Sequence, residues 1–334
     1  MYNKDLIYIV TGCTGYVGNV LTKELLKNGC RVIGLARNEE KVKRVFGENA
    51  PEIVYGDIRK KEDVKRLFAV EGKKVVIHTV AYVSIDNDYD RLYDITVRGT
   101  ENIVDEAIKS DVVKFLQISS TEAIDHKLVL DKELKGYKPN PDLVKSAYGK
   151  VKAIADKTVL TAVGEKGLNA SIILLASVLG PGDYSTSHMT QMIISYAKGK
   201  LPASVKGGYN EFDVRDMAKV LDAIVGKSKK GENYLFANKK SEINEILGYV
   251  GEVTGRKKLP ALPIWVAYLG VPFVKLWCAV TKKRPLYTAT ALGSIKANSD
   301  FPIDKVKEEF GYSPRPLRET VIDHVEFLKE IGSI

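Results

Sequence analysis

A tyrosine and a lysine four residues apart form the pair in this sequence best suited to proton transfer. Tyr148 and Lys152 lie in the stretch Ser-Ala-Tyr-Gly-Lys-Val-Lys, and residues four apart share one face of a helix. A phenol with a pKa of about 10 is a weak acid at neutral pH, and a neighbouring ammonium group would stabilise its ionised form. The same pair also fits a solvated helix surface, so its meaning depends on the elements that precede it.

The first forty residues predict a strand, a glycine-rich turn, a helix and a second strand. A continuous apolar run at residues 6–10 is typical of a strand buried on both faces. Three glycines with two residues between each follow it, and they supply a tight turn, close approach to a pyrophosphate and close helix packing. We therefore expect the turn and the start of the helix to bind a dinucleotide through Gly12, Thr14, Gly15, Tyr16 and Val17.

The residue that follows the second strand bears on the choice of dinucleotide. An acidic side chain there would bind the two ribose hydroxyls of NAD, but this strand ends in Ala36-Arg37-Asn38. Arg37 could bind a 2′-phosphate and stack on adenine. The sequence thus favours NADP and leaves NAD open, and a helix-capping surface arginine is the alternative interpretation of Arg37.

Three more apolar runs predict the third, fourth and fifth strands, over residues 53–58, 75–81 and 114–120. Ligands of a doubly wound sheet lie beyond the carboxyl ends of its strands. We therefore expect Asp57 and Ile58 near the adenine, and Val80 and Ala81 beside the cofactor, although a simple turn aspartate explains Asp57 equally well. His78 lies within an apolar strand and is predicted to be packed rather than catalytic.

The expected fold class is α/β, a doubly wound parallel-sheet Rossmann domain with a smaller C-terminal substrate lobe. The dinucleotide-binding domain is predicted over residues 1–176 and 209–237, and the substrate lobe over residues 177–208 and 238–334. The fifth strand ends in Ser119-Ser120, so these serines and Tyr148 on the next helix would meet at one edge of the sheet.

These motifs, in this order, resemble the extended short-chain dehydrogenase/reductase family within the NAD-dependent epimerase/dehydratase superfamily. The resemblance covers nearly the whole chain and is strongest to the dihydroflavonol-reductase and 3β-hydroxysteroid-dehydrogenase branches. It is carried by Thr-Gly-x-x-Gly-x-x-Gly at 11–18, Gly-Asp-Ile at 56–58, the paired serines, Tyr-x-x-x-Lys, Gly-Pro-Gly-Asp at 180–183, Asp-Val-Arg-Asp-Met-Ala at 213–218 and Phe-Gly-Tyr-Ser-Pro-Arg-Pro at 310–316.

The resemblance implies roles for the matched positions. Tyr148 would exchange a proton with the substrate oxygen, and Lys152 would hold the nicotinamide ribose and lower the pKa of Tyr148. Ser120 would hydrogen-bond the same substrate oxygen, with Ser119 and Thr121 as alternatives because the strand end can be aligned one residue either way.

Two departures from the family pattern leave contacts open. Ser177 and Val178 would lie near the nicotinamide, but Leu175-Ala176 replaces the usual Arg-Pro before them. Thr96 replaces the asparagine of the family's Asn-Val-x-Gly-Thr motif, so a proton relay through that position stays open.

An apolar segment at residues 260–280 contains both tryptophans of the chain, Trp265 and Trp277. It approaches the length of a membrane span, for which about 20 apolar residues are needed, but it includes Pro272 and Lys275. We favour a helix that lines an apolar substrate pocket, over an ordinary core helix and, last, a helix on a membrane surface.

Composition limits the remaining possibilities. The 334 residues carry a net charge of +9 without an arginine-rich tract, so nucleic-acid binding is not expected. Three cysteines, Cys13, Cys30 and Cys278, suit neither a metal site nor a disulfide framework and fit a reducing cytoplasm. The family resemblance also implies a homodimer formed through the helices around Thr100 and Tyr148.

The function favoured by the sequence is an NADP-dependent oxidoreductase that reduces a ketone or aldehyde of a hydrophobic small molecule, reversibly. A nucleotide-sugar epimerase or dehydratase is the first alternative, although Thr121-Glu122-Ala123 lacks the second carboxylate that a dehydratase of this family uses. A non-catalytic NADP-binding sensor is the second alternative, but the Tyr-x-x-x-Lys pair argues against it.

Overall fold

A computed structural model describes residues 2–82, 88–124, 137–271, 292–293, 295 and 300–334. Contacts divide the chain into two compact units. The first comprises residues 1–176, 214–236 and 302–313, and the second comprises 177–213, 237–301 and 314–334. Residues 209–213 and 302–313 thus fall in the opposite units from those expected. The reason is that 209–213 pairs with strands of the second unit, whereas Phe310 and Tyr312 pack on Phe236 of the first.

The first unit is built on a seven-stranded parallel sheet with the strand order β10-β6-β5-β4-β1-β2-β3. Its strands are β1 (Ile7–Thr11), β2 (Arg31–Ala36), β3 (Glu52–Tyr55), β4 (Lys74–His78), β5 (Val112–Ser120), β6 (Ala170–Leu175) and β10 (Asn233–Phe236). This doubly wound order confirms the predicted Rossmann architecture. The residues of β1 and β4 are buried throughout because helices cover both sheet faces.

The helices of the first unit connect these strands. They are α1 (Tyr16–Lys27), α2 (Glu39–Phe46), α3 (Lys61–Phe68), α4 (Tyr89–Tyr93), a π-helical turn (Asp94–Arg98), α5 (Gly99–Lys109), short 3-10 turns (Thr121–Ala123 and Pro141–Leu143), α6 (Ala147–Glu165), α8 (Val214–Lys219), α9 (Leu221–Lys227) and α12 (Asp304–Phe310). Helix α1 begins directly after the glycine turn. Asn28 caps its C-terminus, and Gly29 beyond it has a φ of +73°.

The second unit combines two small sheets with a helical layer. One sheet has the order β11-β9-β7 and the other pairs β12 with β8. The strands are β7 (Ser177–Leu179), β8 (Ser204–Val205), β9 (Gly208–Asp213), β11 (Lys240–Glu242) and β12 (Ala261–Leu262). The helices are α7 (His188–Ala197), α10 (Ile243–Thr254), α11 (residues 264–271) and α13 (Leu317–Glu330).

Side chains of α7, α10 and α13 form the core of the second unit. Met189, Met192, Ile193 and Tyr196 on α7 are helically spaced and all buried in it. Serine is a common helix cap, but Ser241 pairs with Tyr209 in β11 and α10 begins after Glu242. Residues 272–280 of the apolar segment, including Trp277, lie outside the described residues.

Candidate active site

The turn after β1 forms a close backbone cradle that only glycine permits. Gly12 has a φ of +71°, and the amide of Gly15 donates to its carbonyl at 2.8 Å. A Cβ on Gly18 would lie 2.2 Å from the Gly12 carbonyl oxygen, so any side chain there would push α1 away from the turn. The cradle and the N-terminus of the twelve-residue α1, which no side chain caps, fit the pyrophosphate of a dinucleotide.

Hydrogen bonds from neighbouring strands and helices fix the start of this turn. The Thr11 hydroxyl lies 2.6 Å from Nδ1 of His78, and Nε2 of His78 lies 3.1 Å from the hydroxyl of Thr100. Because the Thr100 hydroxyl donates to the Thr96 carbonyl, it must accept from Nε2–H, which leaves Nδ1 to accept from Thr11. Burial, then the charge of Lys152, lowers the pKa of His78 to about 3. His78 is therefore a neutral packed residue, as expected.

The strand ends that should face the adenine carry a cluster of charges. Arg37 is exposed directly after β2. The Asp57 carboxylate accepts from Nε and Nη2 of Arg59 at 3.0 and 2.7 Å, and this hydrogen bonding, with a smaller contribution from Arg37, lowers the pKa of Asp57 to about 2. Asp57 is thus ionised and held by Arg59, and its predicted contact with adenine stays a prediction.

The remaining residues predicted for this cofactor site lie at the ends of β3 and β4 and in the glycine turn. Ile58 is buried, and its carbonyl accepts from the Asn102 amide at 3.0 Å. Val80 lies against Gly12, since a Cβ added to that glycine would be 3.3 Å from the Val80 backbone nitrogen. Ala81 follows Val80 and is half-buried. Thr14 in the turn and Tyr16 and Val17 at the start of α1 are half-buried as well.

A glycine brings the predicted catalytic helix against the end of β5. A Cβ on Gly149 would lie 2.1 Å from the Glu122 carbonyl oxygen in the turn Thr121–Ala123. Ser146 caps α6 by accepting from the Gly149 amide at 3.0 Å, and its hydroxyl donates to Glu122 Oε2 at 3.2 Å. This close packing places Tyr148, in the first turn of α6, beside the residues that follow β5.

Ser120 is the half-buried serine of the pair. Its hydroxyl accepts from the Glu122 amide at 3.2 Å and lowers the pKa of Tyr148. Ser119 instead is buried and donates to Asp156 Oδ2 at 2.5 Å. Thr121 is also buried, in the turn after β5. Of the three alternatives, Ser120 is the least buried, and its contact with the substrate oxygen stays a prediction.

The environment of Tyr148 keeps its proton in place. Burial raises the pKa of the phenol most, the Glu122 carboxylate raises it further, and the Ser120 hydroxyl lowers it. The surroundings of Tyr148 therefore favour the protonated phenol. The lowering of this pKa by Lys152 stays a prediction.

Lys152 and Asp156 continue the face of α6 that begins at Tyr148. The Lys152 ammonium is buried and donates to the Ile118 carbonyl of β5 at 2.6 Å. One turn further on, Asp156 Oδ2 accepts from Ser119 and, at 3.0 Å, from the Tyr137 hydroxyl. Burial raises the pKa of Asp156 and lowers that of Lys152, and the opposite charge of each counteracts the shift of the other.

The second unit holds the last two predicted residues. Ser177 and Val178 lie on β7, and Ser177 is the register partner of Glu211 on β9. The Ser177 hydroxyl donates to Glu211 Oε1 at 2.9 Å, whereas Oε2 is buried with no hydrogen-bond partner among the described residues. Burial raises the pKa of Glu211 to about 7. Their predicted place beside the nicotinamide stays a prediction.

Sequence reasoning missed three polar residues that the structure singles out: Glu122, Asp156 and Glu211. Asp156 had a signal, since it follows Lys152 at helical spacing on the Tyr148 face. Thr96 is buried, and its hydroxyl accepts from the Tyr82 amide at 3.5 Å. Among the described residues there is no cluster of His, Cys, Asp or Glu suited to a metal ion.

The parallel-sheet topology and the glycine turn place this fold in the Rossmann class. A model of the NAD dependent epimerase/dehydratase family matches residues 8–237. The chain belongs to this family, and it is an NAD(P)-dependent enzyme of the extended short-chain dehydrogenase/reductase type.

Similar proteins span the whole chain. "Sterol demethylase protein B" of Methylococcus capsulatus is 29% identical over 98% of this chain and 99% of its own length. A "putative dihydroflavonol 4-reductase" of Synechocystis is 25% identical over 98% and 96%. "3beta-hydroxysteroid-dehydrogenase/decarboxylase isoform 1" of Arabidopsis thaliana is 27% identical over 96% and 80%.

Solved structures support the fold. UDP-glucose 4-epimerase of Thermotoga maritima superposes with a TM-score of 0.74 at 19% identity, covering 98% of this chain and 99% of that one. The Bordetella bronchiseptica enzyme WbmH in complex with NAD+ gives 0.73 at 20% identity, over 97% and 99%.

Proposed function

We propose that this enzyme reduces a ketone or aldehyde of a hydrophobic small molecule with NADPH, and runs reversibly as an alcohol dehydrogenase. The observation that carries the proposal is the close packing of the first turn of α6, which holds Tyr148, against the turn that follows Ser120. A protonated phenol beside a hydroxyl donor is the arrangement that carbonyl reduction needs.

The protein's part in the reaction follows from the positions of its side chains. The dinucleotide, when bound, supplies the hydride that forms the new C–H bond at the carbonyl carbon. Ser120 orients the carbonyl oxygen by hydrogen bonding, and Tyr148 gives its phenolic proton to that oxygen as the C=O π bond breaks. Lys152, buried behind Tyr148, stabilises the phenolate that remains.

The cofactor preference is also part of the proposal. Arg37 stands exposed at the end of β2, where NAD-binding relatives of this class carry an acid. Arg59 forms the hydrogen bonds to the Asp57 carboxylate, and we propose that the exposed Arg37 guanidinium binds the 2′-phosphate. NADP is therefore the proposed cofactor.

The apolar substrate rests on the relatives. Their names refer to a sterol, a dihydroflavonol and a 3β-hydroxysteroid, which are all largely apolar molecules. We propose a substrate of that chemical class. We also propose that the enzyme acts in the cytoplasm as a homodimer formed through α5 and α6. Light scattering of the purified protein measures whether it is a dimer.

The test is the loss of NADPH absorbance with steroid ketones, flavonoid ketones, aromatic aldehydes and sugar nucleotides. Turnover of an apolar carbonyl, reduced about 10²–10⁴-fold in Tyr148→Phe, is the expected result. Tyr249→Phe is the matched control, because its hydroxyl bonds an exposed Glu245 on α10 of the second unit. Full activity in Tyr148→Phe would overturn the proposal.

Two other results would replace it. Conversion of a sugar nucleotide without net change in the cofactor would indicate an epimerase. Tight NADPH binding with no turnover of any carbonyl would indicate a sensor.

A further inference from the structure

Helix α11 presents large apolar side chains outwards. Trp265 and Leu269 are 64% and 65% exposed, and Tyr268 beside them is 40% exposed. Residues spaced by three and four lie on one helix face. Leu262, at the end of β12, adds a fourth side chain at 38% exposure. We call these four residues the Trp265 face.

The concentration of apolar surface here is unusual for this protein. Eight large hydrophobic side chains are exposed in the part of the chain that the structure describes, and four of them belong to the Trp265 face. Ile264 and Ala267, on the other side of α11, pack against the core of the second unit. The helix thus already buries one apolar side, and its outward side is apolar as well. A contiguous patch of this kind marks an interaction surface.

Basic residues lead directly into this face. Arg256, Lys257 and Lys258 are exposed just before β12. The Tyr196 hydroxyl donates to the carbonyls of Arg256 and Lys257 at 3.2 and 3.0 Å, which fixes the backbone of this stretch. The three cations are therefore held beside the Trp265 face rather than on a loose tail.

Three more lysines adjoin the same stretch. Arg256 Nε donates to the Ala197 carbonyl at 2.8 Å, which brings in exposed Lys198 and Lys200 at the end of α7. The Lys206 amide donates to the Leu262 carbonyl at 2.8 Å. Within the described ranges, no carboxylate forms an ion pair with any of these six cations. Nearby Glu252 pairs instead with Arg318 at 2.7 Å.

We propose that the Trp265 face and its six basic neighbours bind the surface of an anionic lipid bilayer, with α11 lying in the plane of the interface. Tryptophan and tyrosine prefer the boundary between water and lipid. Lysine and arginine beside an apolar helix face are attracted to acidic headgroups. In the described part of the chain no helix has the length and apolar character needed to cross a membrane.

Charge argues for lipid over a second copy of the chain. In a two-fold dimer the same patch meets itself, so six cations would oppose six cations across the contact, and like charges brought together oppose association. An anionic surface instead pairs with them. This inference does not depend on the proposed reaction, because vesicle binding is measured without turnover.

The experiment is co-sedimentation with vesicles of phosphatidylcholine alone or mixed equally with phosphatidylglycerol. We expect binding to the anionic vesicles, weakened by salt. We expect a loss of roughly tenfold or more in Trp265→Ser/Leu269→Ser and in Lys257→Glu/Lys258→Glu. The controls are Leu143→Ser and Lys60→Glu/Lys61→Glu, which alter exposed residues of the first unit and should bind as the unsubstituted protein does.

A local signal confirms which residue enters the lipid. Trp277→Phe leaves Trp265 as the only tryptophan of the chain, and its emission should shift to the blue and become shielded from acrylamide when anionic vesicles are added. No binding, equal binding to neutral vesicles, or an unchanged affinity in both double variants would overturn the proposal. A dimer that dissociates in Trp265→Ser/Leu269→Ser, without vesicle binding, would assign the face to a second copy.

Discussion

Among the buried carboxyl groups of the described residues, Asp156 of the first unit and Glu211 of the second have different surroundings. Asp156 in the first unit accepts hydrogen bonds from Ser119 and Tyr137 and lies one helical turn from the Lys152 ammonium. Glu211 in the second unit accepts a hydrogen bond from Ser177. Each carboxyl has one oxygen without a hydrogen-bond partner among the described residues, so the difference between them is the charge of Lys152 beside Asp156. A carboxylate that has an opposite charge beside it can stay ionised, whereas a lone one is better kept protonated.

This difference predicts that replacing each carboxyl by its amide changes the stability of the fold in opposite directions. Asp156→Asn should destabilise the fold at pH 7 by about 3 kcal/mol, because it leaves the buried Lys152 ammonium without an opposite charge. Urea unfolding gives this value, with Asp105→Asn, an exposed position on α5, as the control that should change little. A more stable Asp156→Asn protein would show that Asp156 is neutral in the folded state and would remove the contrast.

Above neutral pH, Glu211→Gln should stabilise the fold, whereas Asp156→Asn destabilises it. The Glu211 carboxyl has its pKa raised from 4.5 to about 7 by burial. Below pH 4.5 this carboxyl is protonated in both the folded and the unfolded chain, so its ionisation does not change the free energy of unfolding. Between pH 4.5 and 7 only the unfolded chain releases the proton, and stability falls by about 3 kcal/mol, a loss that persists above pH 7.

Glutamine has no titrating carboxyl group, so the loss of stability between pH 4.5 and 7 should disappear in Glu211→Gln. Unfolding in urea at pH 5 and pH 8 should therefore show a pH-dependent loss in the unsubstituted protein that Glu211→Gln lacks. Glu245→Gln, an exposed carboxylate on α10, should keep the pH dependence of the unsubstituted protein. Equal pH dependence in Glu211→Gln would mean that Glu211 ionises freely in the folded state.

What the sequence could predict depends on how far apart along the chain the contacting residues lie. The glycine turn, Tyr148 and Lys152 were predictable because each depends on spacing within one short stretch. The burial of Asp156 depends on Ser119 and Tyr137, 37 and 19 residues away along the chain, and that of Glu211 on the pairing of β9 with β7. Ser241 shows the same limit, because pairing of β11 with β9 outweighs its local preference for a helix cap.

A smaller effect is expected at the exposed edge of the first unit. Arg37→Ala should weaken NADPH binding by about 10–100-fold, the range for a lost hydrogen bond to a charged group, and leave NADH binding unchanged. Cofactor fluorescence titration measures both. Arg31→Ala is the control, because Arg31 lies at the other end of β2 and pairs with Glu52 at 2.7 Å. Equal losses for NADPH and NADH would argue against a 2′-phosphate contact.

The smallest effect tests whether the two units also unfold separately. Gly164 on α6 and Gly248 on α10 are helical glycines at which an added Cβ meets nothing within 4 Å. Alanine at either should stabilise its helix by about 0.5–1 kcal/mol, since the unfolded chain loses freedom and no clash follows. If the units are independent, calorimetry should show Gly164→Ala raising one transition and Gly248→Ala the other. If both raise a single transition equally, the two buried carboxyls belong to one cooperative fold, and the Asp156 and Glu211 substitutions act on one shared stability.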